Sequence, residues 1–263
     1  MAEIINYQLK ETEYIKKQTA KKAIVLHFTA GWPSPYQTID IWNADGQRKG
    51  TAFVIGGVEA NGGGAWDGKI LQAFDSEFYD YHLFKWFSGS EIIEQSTIGI
   101  ELCNWGPLTF RNGNFYTYVN TILPKSQVVE LDAPFKGYKF WHKFSDKQID
   151  SLEYLLLFLL KKHAIQPSGL PKLLRLENGL QLQRMLNLQL LRKSMPLLIE
   201  DGIVGKKTRD ALNSFPHAAF ELDPNYKNIK NIESGIYSHC TFDGDRKLDV
   251  HPAPNLIKML KDI

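Results

Sequence analysis

The sequence predicts an α/β fold: a mixed central β-sheet flanked by helices, with a small all-α insertion. Three observations predict it. Short apolar runs rich in β-branched residues fill the first half of the chain, a strongly periodic helix begins at Ser145, and a Leu- and Gln-rich helical stretch precedes one late strand signal. With 263 residues the chain can hold one large α/β domain or two modest ones.

The first strand is AIVLHF at residues 23–28, apolar almost throughout and so buried on both faces, with His27 near its end. TAFVI at 51–55, KILQAF at 69–74 after the turn Asp67-Gly68, and TIGIEL at 97–102 follow as strands. Asn112-Gly113 between two strand-like halves predicts a hairpin over 109–119. At Ser145 the period changes. Ser145 and Gln148 form a capping-box pair, and Ile149, Leu152, Leu155, Leu156, Leu159 and Leu160 recur at helical spacing. Pro167, Gly169 and Pro171 break the pattern before helical stretches from about 180 to 191 and up to Phe215, and strand character returns at 235–239. These punctuation marks divide the chain into 1–166, a helical insertion at 167–216, and 217–263.

Thirty-one basic against 29 acidic residues leave a net charge of +2, too small a field to make nucleic acid the main partner. A discrete, mostly neutral substrate fits better. Cys103 and Cys240 are the only cysteines, which excludes a disulfide framework and a thiolate zinc site, so a metal centre here has to use histidine and carboxylate. No apolar run approaches the roughly 20 residues of a membrane span.

Among seven histidines, His27 at a strand end and His239 in the segment HCTFDGDRKLDVHP are the best-placed ligand candidates, and Asp249 offers a third donor. Glu101 closes the otherwise apolar TIGIEL run, where an unpaired carboxylate is costly unless it has a function. His142, His163 and His217 stand in surface-like or helix-end contexts and read as structural. Cys103 and Cys240 read as small buried apolar residues.

These pieces, in this order, resemble the zinc-dependent N-acetylmuramoyl-L-alanine amidases, the fold family of phage lysozyme-type amidases and peptidoglycan recognition proteins. His27-Phe28-Thr29-Ala30-Gly31 is similar to the first ligand motif. Trp66-Asp67-Gly68-Lys69-Ile70 and Tyr81-His82 are similar to the next hairpin and a Trp-His segment, with Tyr81 in place of Trp. Ile98-Gly99-Ile100-Glu101-Leu102 resembles the strand that carries the catalytic glutamate, and Asp245-Arg246-Lys247-Leu248-Asp249-Val250-His251 resembles the closing motif. The resemblance covers about residues 20–163 and 233–256.

It implies zinc bound by His27, His239 and Asp249, Glu101 taking the proton of the attacking water, and Lys247 steadying the oxyanion. Those residue types suit those tasks. On a strand, Lys247 and Asp249 share one face, so their spacing would aim both at one centre. Trp32, His82 and Arg246 are the candidate substrate contacts. Phe53 stands where many members carry an assisting tyrosine, leaving activity to rest on Glu101. Val250-His251 replaces the usual Pro-Gly, so His251 either competes with Asp249 or contacts substrate.

Within the insertion, residues 182–215, with Asp201-Gly202-Ile203-Val204-Gly205-Lys206-Lys207-Thr208 at their centre, resemble a three-helix peptidoglycan-binding module, although Pro216 stands where the module has glutamine. The implied function is hydrolysis of the amide joining N-acetylmuramic acid to L-alanine in peptidoglycan. Two alternatives are a non-catalytic peptidoglycan receptor and a zinc hydrolase of another amide. The first residues lack the features of a secretory signal, so the expectation is cytoplasmic synthesis with action at the wall or periplasm, as for a phage lysin or an exported effector.

Overall fold

In this computed structural model, residues 3–83, 90–221, 232–243 and 246–263 are described. Along the chain come β1 (Ile4–Asn6), β2 (Ala23–Phe28), α1 (Pro35–Asp45), β3 (Phe53–Ile55), β4 (Ile70–Gln72), α2 (Ser90–Ser96) and β5 (Thr97–Leu102). Next are β6 (Pro107–Arg111), β7 (Asn114–Tyr116), β8 (Ile122–Leu123), β9 (Val128–Phe135), β10 (Tyr138–His142) and α3 (Asp146–Lys162). The remainder is α4 (Leu170–Leu174), α5 (Gly179–Arg192), α6 (Lys206–Ser214), β11 (Gly235–Ser238) and α7 (Pro254–Asp262).

The central sheet has the order β1-β4-β3-β5-β2-β11 and is mixed as expected, β4 running antiparallel to β3 while the other pairings are parallel. All six side chains of β2 are buried, which is why that run is apolar without alternation. β2 and β5 pair so that His27 lies opposite Glu101, and β11 pairs with the other side of β2 up to Ser238 opposite Leu26. The residue after β11 is therefore delivered next to His27. In open α/β sheets ligands bind beyond the carboxyl ends of the strands, where these three strands end together.

A second sheet, β8-β7-β6-β10-β9, is antiparallel. Its β6–β7 turn is the expected Asn112-Gly113, at φ 51° and 77°, the left-handed pair that matches strand twist. The β9–β10 hairpin has no counterpart in the sequence reading.

Ser145 caps α3 by accepting from the Gln148 amide at 3.0 Å. Gln148 does not complete the box. Its side-chain Nε2 donates to the carbonyls of Ile55 (3.2 Å), Gly56 (3.1 Å) and Cys103 (3.1 Å), tying the helix to the ends of β3 and β5. The inner face of α3, Leu152, Leu155, Leu156 and Leu159, fills the main core. Segment 167–216 is helical, and Leu170, Leu173, Leu182, Met185, Leu186 and Leu190 belong to that same continuous core.

Candidate metal and catalytic centre

His27 is fixed by its strand, and His239 by the 3₁₀ turn that begins as β11 ends. Asp249 arrives on a loop. The Cys240 amide donates to the Asp249 carbonyl (2.9 Å), the Cys240 thiol donates to the Lys247 carbonyl (3.1 Å), and the Lys247 amide donates to the Asp243 carbonyl (2.9 Å). Arg246 forms a two-pronged pair with Asp243, its Nε at 3.0 Å and its Nη2 at 2.6 Å from the two carboxylate oxygens. The strand expected at Lys247 and Asp249 is thus a pinned loop: its backbone bonds go to one turn instead of a neighbouring ladder. Both side chains still reach one cavity. Asp245 lies outside the described residues.

Three donor atoms converge. His27 Nδ1 is 2.8 Å from His239 Nδ1 and 3.3 Å from Asp249 Oδ2, and His239 Nδ1 is 2.9 Å from the same Oδ2. All three residues are buried. Burial and then the His239 ring push the His27 imidazole down to about 4, so it is neutral at pH 7. Burial works the other way on Asp249, but the His239 and His27 imidazoles overcome it and hold the carboxyl far below its usual range. Among the described residues this is the one cluster whose ligand atoms lie close enough to share a metal ion. Two imidazoles with one carboxylate fit a tetrahedral zinc that keeps one position open. Among the described residues the buried Nε2 of His239 meets no hydrogen-bond partner, and its Nδ1 is the atom that faces His27 and Asp249.

The cavity over these donors holds about 460 Å³ and is also lined by Glu101, Lys247, Arg246 and Tyr81. Burial, then the Asp249 charge, raises the Glu101 carboxyl well above its usual range, with Lys247 opposing. A carboxyl of heightened proton affinity beside a cation is equipped to take up and release a proton.

Behind His27 stands His82, whose Nδ1 is 2.9 Å from His27 Nε2 and whose Nε2 is 2.8 Å from Thr97 Oγ1. The ring borders the cavity where a substrate contact is expected of it, with both nitrogens turned to protein groups. Trp32 is exposed and meets Trp105 edge-on at 5.2 Å between ring centres, outside the cavity lining. Phe53 is buried in the core. Tyr81, Trp42 and Lys49 line the cavity and were not singled out as site residues, since nothing local distinguishes them from core or surface positions.

His251 takes neither role left open for it. Its ring is sandwiched between Trp141 (4.8 Å) and Phe144 (4.4 Å), nearly parallel to both, and does not line the cavity. His142 is buried and not at the surface, accepting from the Trp105 amide at 3.2 Å. His163 bonds Ser76 and His217 bonds the Ala133 carbonyl. Burial raises both thiols, in keeping with inert core residues.

Residues 17–174 match the family model described as N-acetylmuramoyl-L-alanine amidase. That stretch contains His27, His82 and Glu101 and ends before His239 and Asp249. No curated protein matches the chain. Among solved structures it is similar to the hydrolase AmiA of Staphylococcus aureus in complex with its ligand, at 9% identity and a TM-score of 0.44, covering 100% of this chain and 83% of that one. It is similar to PlyL at 11% identity and a TM-score of 0.38, covering 62% and 76% of the two chains. It is also similar to the N-acetylmuramyl-L-alanine amidase AmiD of E. coli, solved with an anhydro-N-acetylmuramic acid peptide, at 17% identity and a TM-score of 0.35, covering 58% and 48%.

Proposed function

This chain belongs to the N-acetylmuramoyl-L-alanine amidase family, and on that premise we propose that it cleaves the lactyl–L-alanine amide of peptidoglycan with a zinc ion held by His27, His239 and Asp249. The observation that carries the reading is the meeting of these three donors, Glu101 and Lys247 in one cavity at the carboxyl ends of β2, β5 and β11. Zinc bound there supplies Lewis acidity for the scissile carbonyl and the attacking water.

The protein's own groups do the rest. Glu101 accepts a proton as water adds to the carbonyl carbon, then returns it to the departing L-alanine nitrogen, so the amide and one water become a carboxylic acid and a free amine. The Lys247 ammonium, close enough to oppose the rise in the Glu101 carboxyl, stabilises the oxyanion of the tetrahedral intermediate. Arg246, locked to Asp243 at the cavity wall, contributes to substrate contact.

The same reading assigns 167–216 to wall binding. The turn that resembles the binding module is closed by one side chain: Gln183 Nε2 donates to Asp201 Oδ1 (2.8 Å) and the Ile203 carbonyl (3.0 Å), and its Oε1 accepts from the Gly202 amide (2.8 Å). Around that turn Leu191, Leu197, Ile199 and Ile203 remain more than half exposed. With peptidoglycan as substrate, the place of action is the cell wall.

Mass spectrometry of products released from purified peptidoglycan tests the function. Stem peptides with a free L-alanine amino terminus are expected from the zinc-loaded protein, and none from Glu101→Ala or chelated protein. Wall binding without release would make the chain a receptor instead.

A further inference from the structure

Behind the donors, a chain of hydrogen bonds fixes which nitrogen of each ring carries hydrogen. It starts at the Ile93 carbonyl, which can only accept, so the Thr97 hydroxyl at 2.8 Å must donate to it. Thr97 Oγ1 has then spent its one hydrogen, and its 2.8 Å contact with His82 Nε2 requires the hydrogen on that nitrogen. The Glu94 carboxyl, with Oε2 at 3.6 Å from His82 Nε2, faces the same side. A neutral imidazole carries one hydrogen, so with that hydrogen on Nε2 its Nδ1 is bare. That bare atom is 2.9 Å from His27 Nε2, which must therefore donate. His27 Nδ1 is left with a lone pair, aimed where His239 and Asp249 converge.

A second observation shows that His82 has a prepared seat. Thr97, Gly99 and Glu101 alternate onto one face of β5. A Cβ at Gly99 would stand 2.7 Å from Thr51 Cγ2, closer than real Cβ atoms come, and 3.0 Å from His82 Cγ, tighter than nine in ten of their contacts. The glycine inside this strand marks close approach of the ring to the backbone. One strand thus supplies the acceptor for His82, the slot for its ring and the carboxylate of the cavity.

We propose that His82 is a positioning residue that locks His27 in the tautomer whose Nδ1 can bind the metal. The proposal rests on the zinc reading above for its purpose, while the hydrogen-bond chain exists without the ion. It implies that His82 acts through His27 and does not touch substrate. Partners that orient a ligating histidine in this way are typically worth about 10–100-fold in metal affinity.

The test combines long-range proton–nitrogen NMR of the histidine rings in metal-free protein with zinc affinity by competition against a chromophoric chelator, in wild type, His82→Phe, His82→Asn and Gly99→Ala. Expected in wild type is a single His27 tautomer with hydrogen on Nε2. His82→Phe keeps the bulk and loses the acceptor, so His27 should populate both tautomers and zinc affinity should fall about 10–100-fold. His82→Asn restores an oxygen acceptor and should recover most of that loss. Gly99→Ala displaces the ring without removing it and should shift His27 in the same direction as His82→Phe. If His82→Phe does not fold, Gly99→Ala decides. Retention of zinc affinity within twofold, with the His27 tautomer unchanged in the folded variants, overturns the proposal. A wild type that binds no zinc would sink the metal reading, and the tautomer measurement on the same metal-free samples would still decide the role of His82.

Discussion

His27 and Glu101 face one another in register on adjacent parallel strands, so the carboxyl end of the central sheet holds the proposed ligand and the proposed base side by side. The pairing fixes their separation through backbone hydrogen bonds, leaving little to side-chain freedom. Chemistry and metal binding are therefore separable at this pair.

Glu101→Gln keeps the shape and removes the proton acceptor. Turnover of a soluble muropeptide should fall by about 10²–10⁴-fold, the usual contribution of a general base. Zinc affinity by chelator competition should stay near that of wild type. Loss of both together would show that Glu101 serves the metal instead of the water.

Zinc that binds only the folded state stabilises it by mass action, so chelation should lower the melting temperature as well as abolish activity. Asp249→Ala should cancel that melting shift, because it removes the only carboxylate among the three converging donors. Calorimetry with and without chelator, on both proteins, provides the check.

Acid should destabilise the metal-free protein over a defined window. Burial holds His142 down at about 4, against about 6.5 in an unfolded chain. The unfolded state thus binds the proton first as pH falls. The contribution is fully present above pH 6.5, declines below it and is gone at about pH 4, on the order of 3 kcal/mol. Urea melts from pH 7.5 to 4 should show the loss, and His142→Gln should have a flatter profile.

Gln148→Leu would strand the Cys103 carbonyl, while the Ile55 carbonyl keeps the Cys103 amide (2.8 Å) and the Gly56 carbonyl keeps the Gly68 amide (3.1 Å). Leaving a buried polar group unsatisfied costs about 1–3 kcal/mol, so a loss of at least that size is expected in denaturant unfolding. Ser145→Ala, which removes only the cap, should cost about 1 kcal/mol.

Ile199→Ser combined with Ile203→Ser should reduce co-sedimentation with insoluble peptidoglycan while hydrolysis of a small muropeptide continues. Unchanged sedimentation would remove the wall-binding role of 167–216.

Much of the site was legible because its residues sit at the ends of short apolar strands, where a His or Glu interrupts an otherwise uniform run: AIVLHF, TIGIEL and GIYSH. The long helix was legible through its cap and its leucine period. What escaped was set by tertiary contacts. β9, VVELDAPF, mixes acids and a proline into its run and alternates only weakly, so its strand character comes from pairing with β10. α1 carries local signals, Ser34 accepting from the Gln37 amide and Pro35 opening the first turn, but its buried face of Pro35, Thr38, Ile39 and Trp42 is too polar to register as a stripe. Only the fold could show that the His82 nitrogens face His27 and Thr97. Its one local hint was Gly99, a glycine inside an apolar strand.

The two histidines at the centre are 212 positions apart, and β11 reaches β2 only after the helical segment has been made. During synthesis the ribosome therefore releases β2 and β5 long before the second histidine and the aspartate exist. A nascent chain, or one cut short before residue 239, would hold a nearly complete core and one of the three proposed ligands. Enzymatic competence is the last property this polypeptide acquires, so a cell that makes it carries an inert precursor for most of each round of translation.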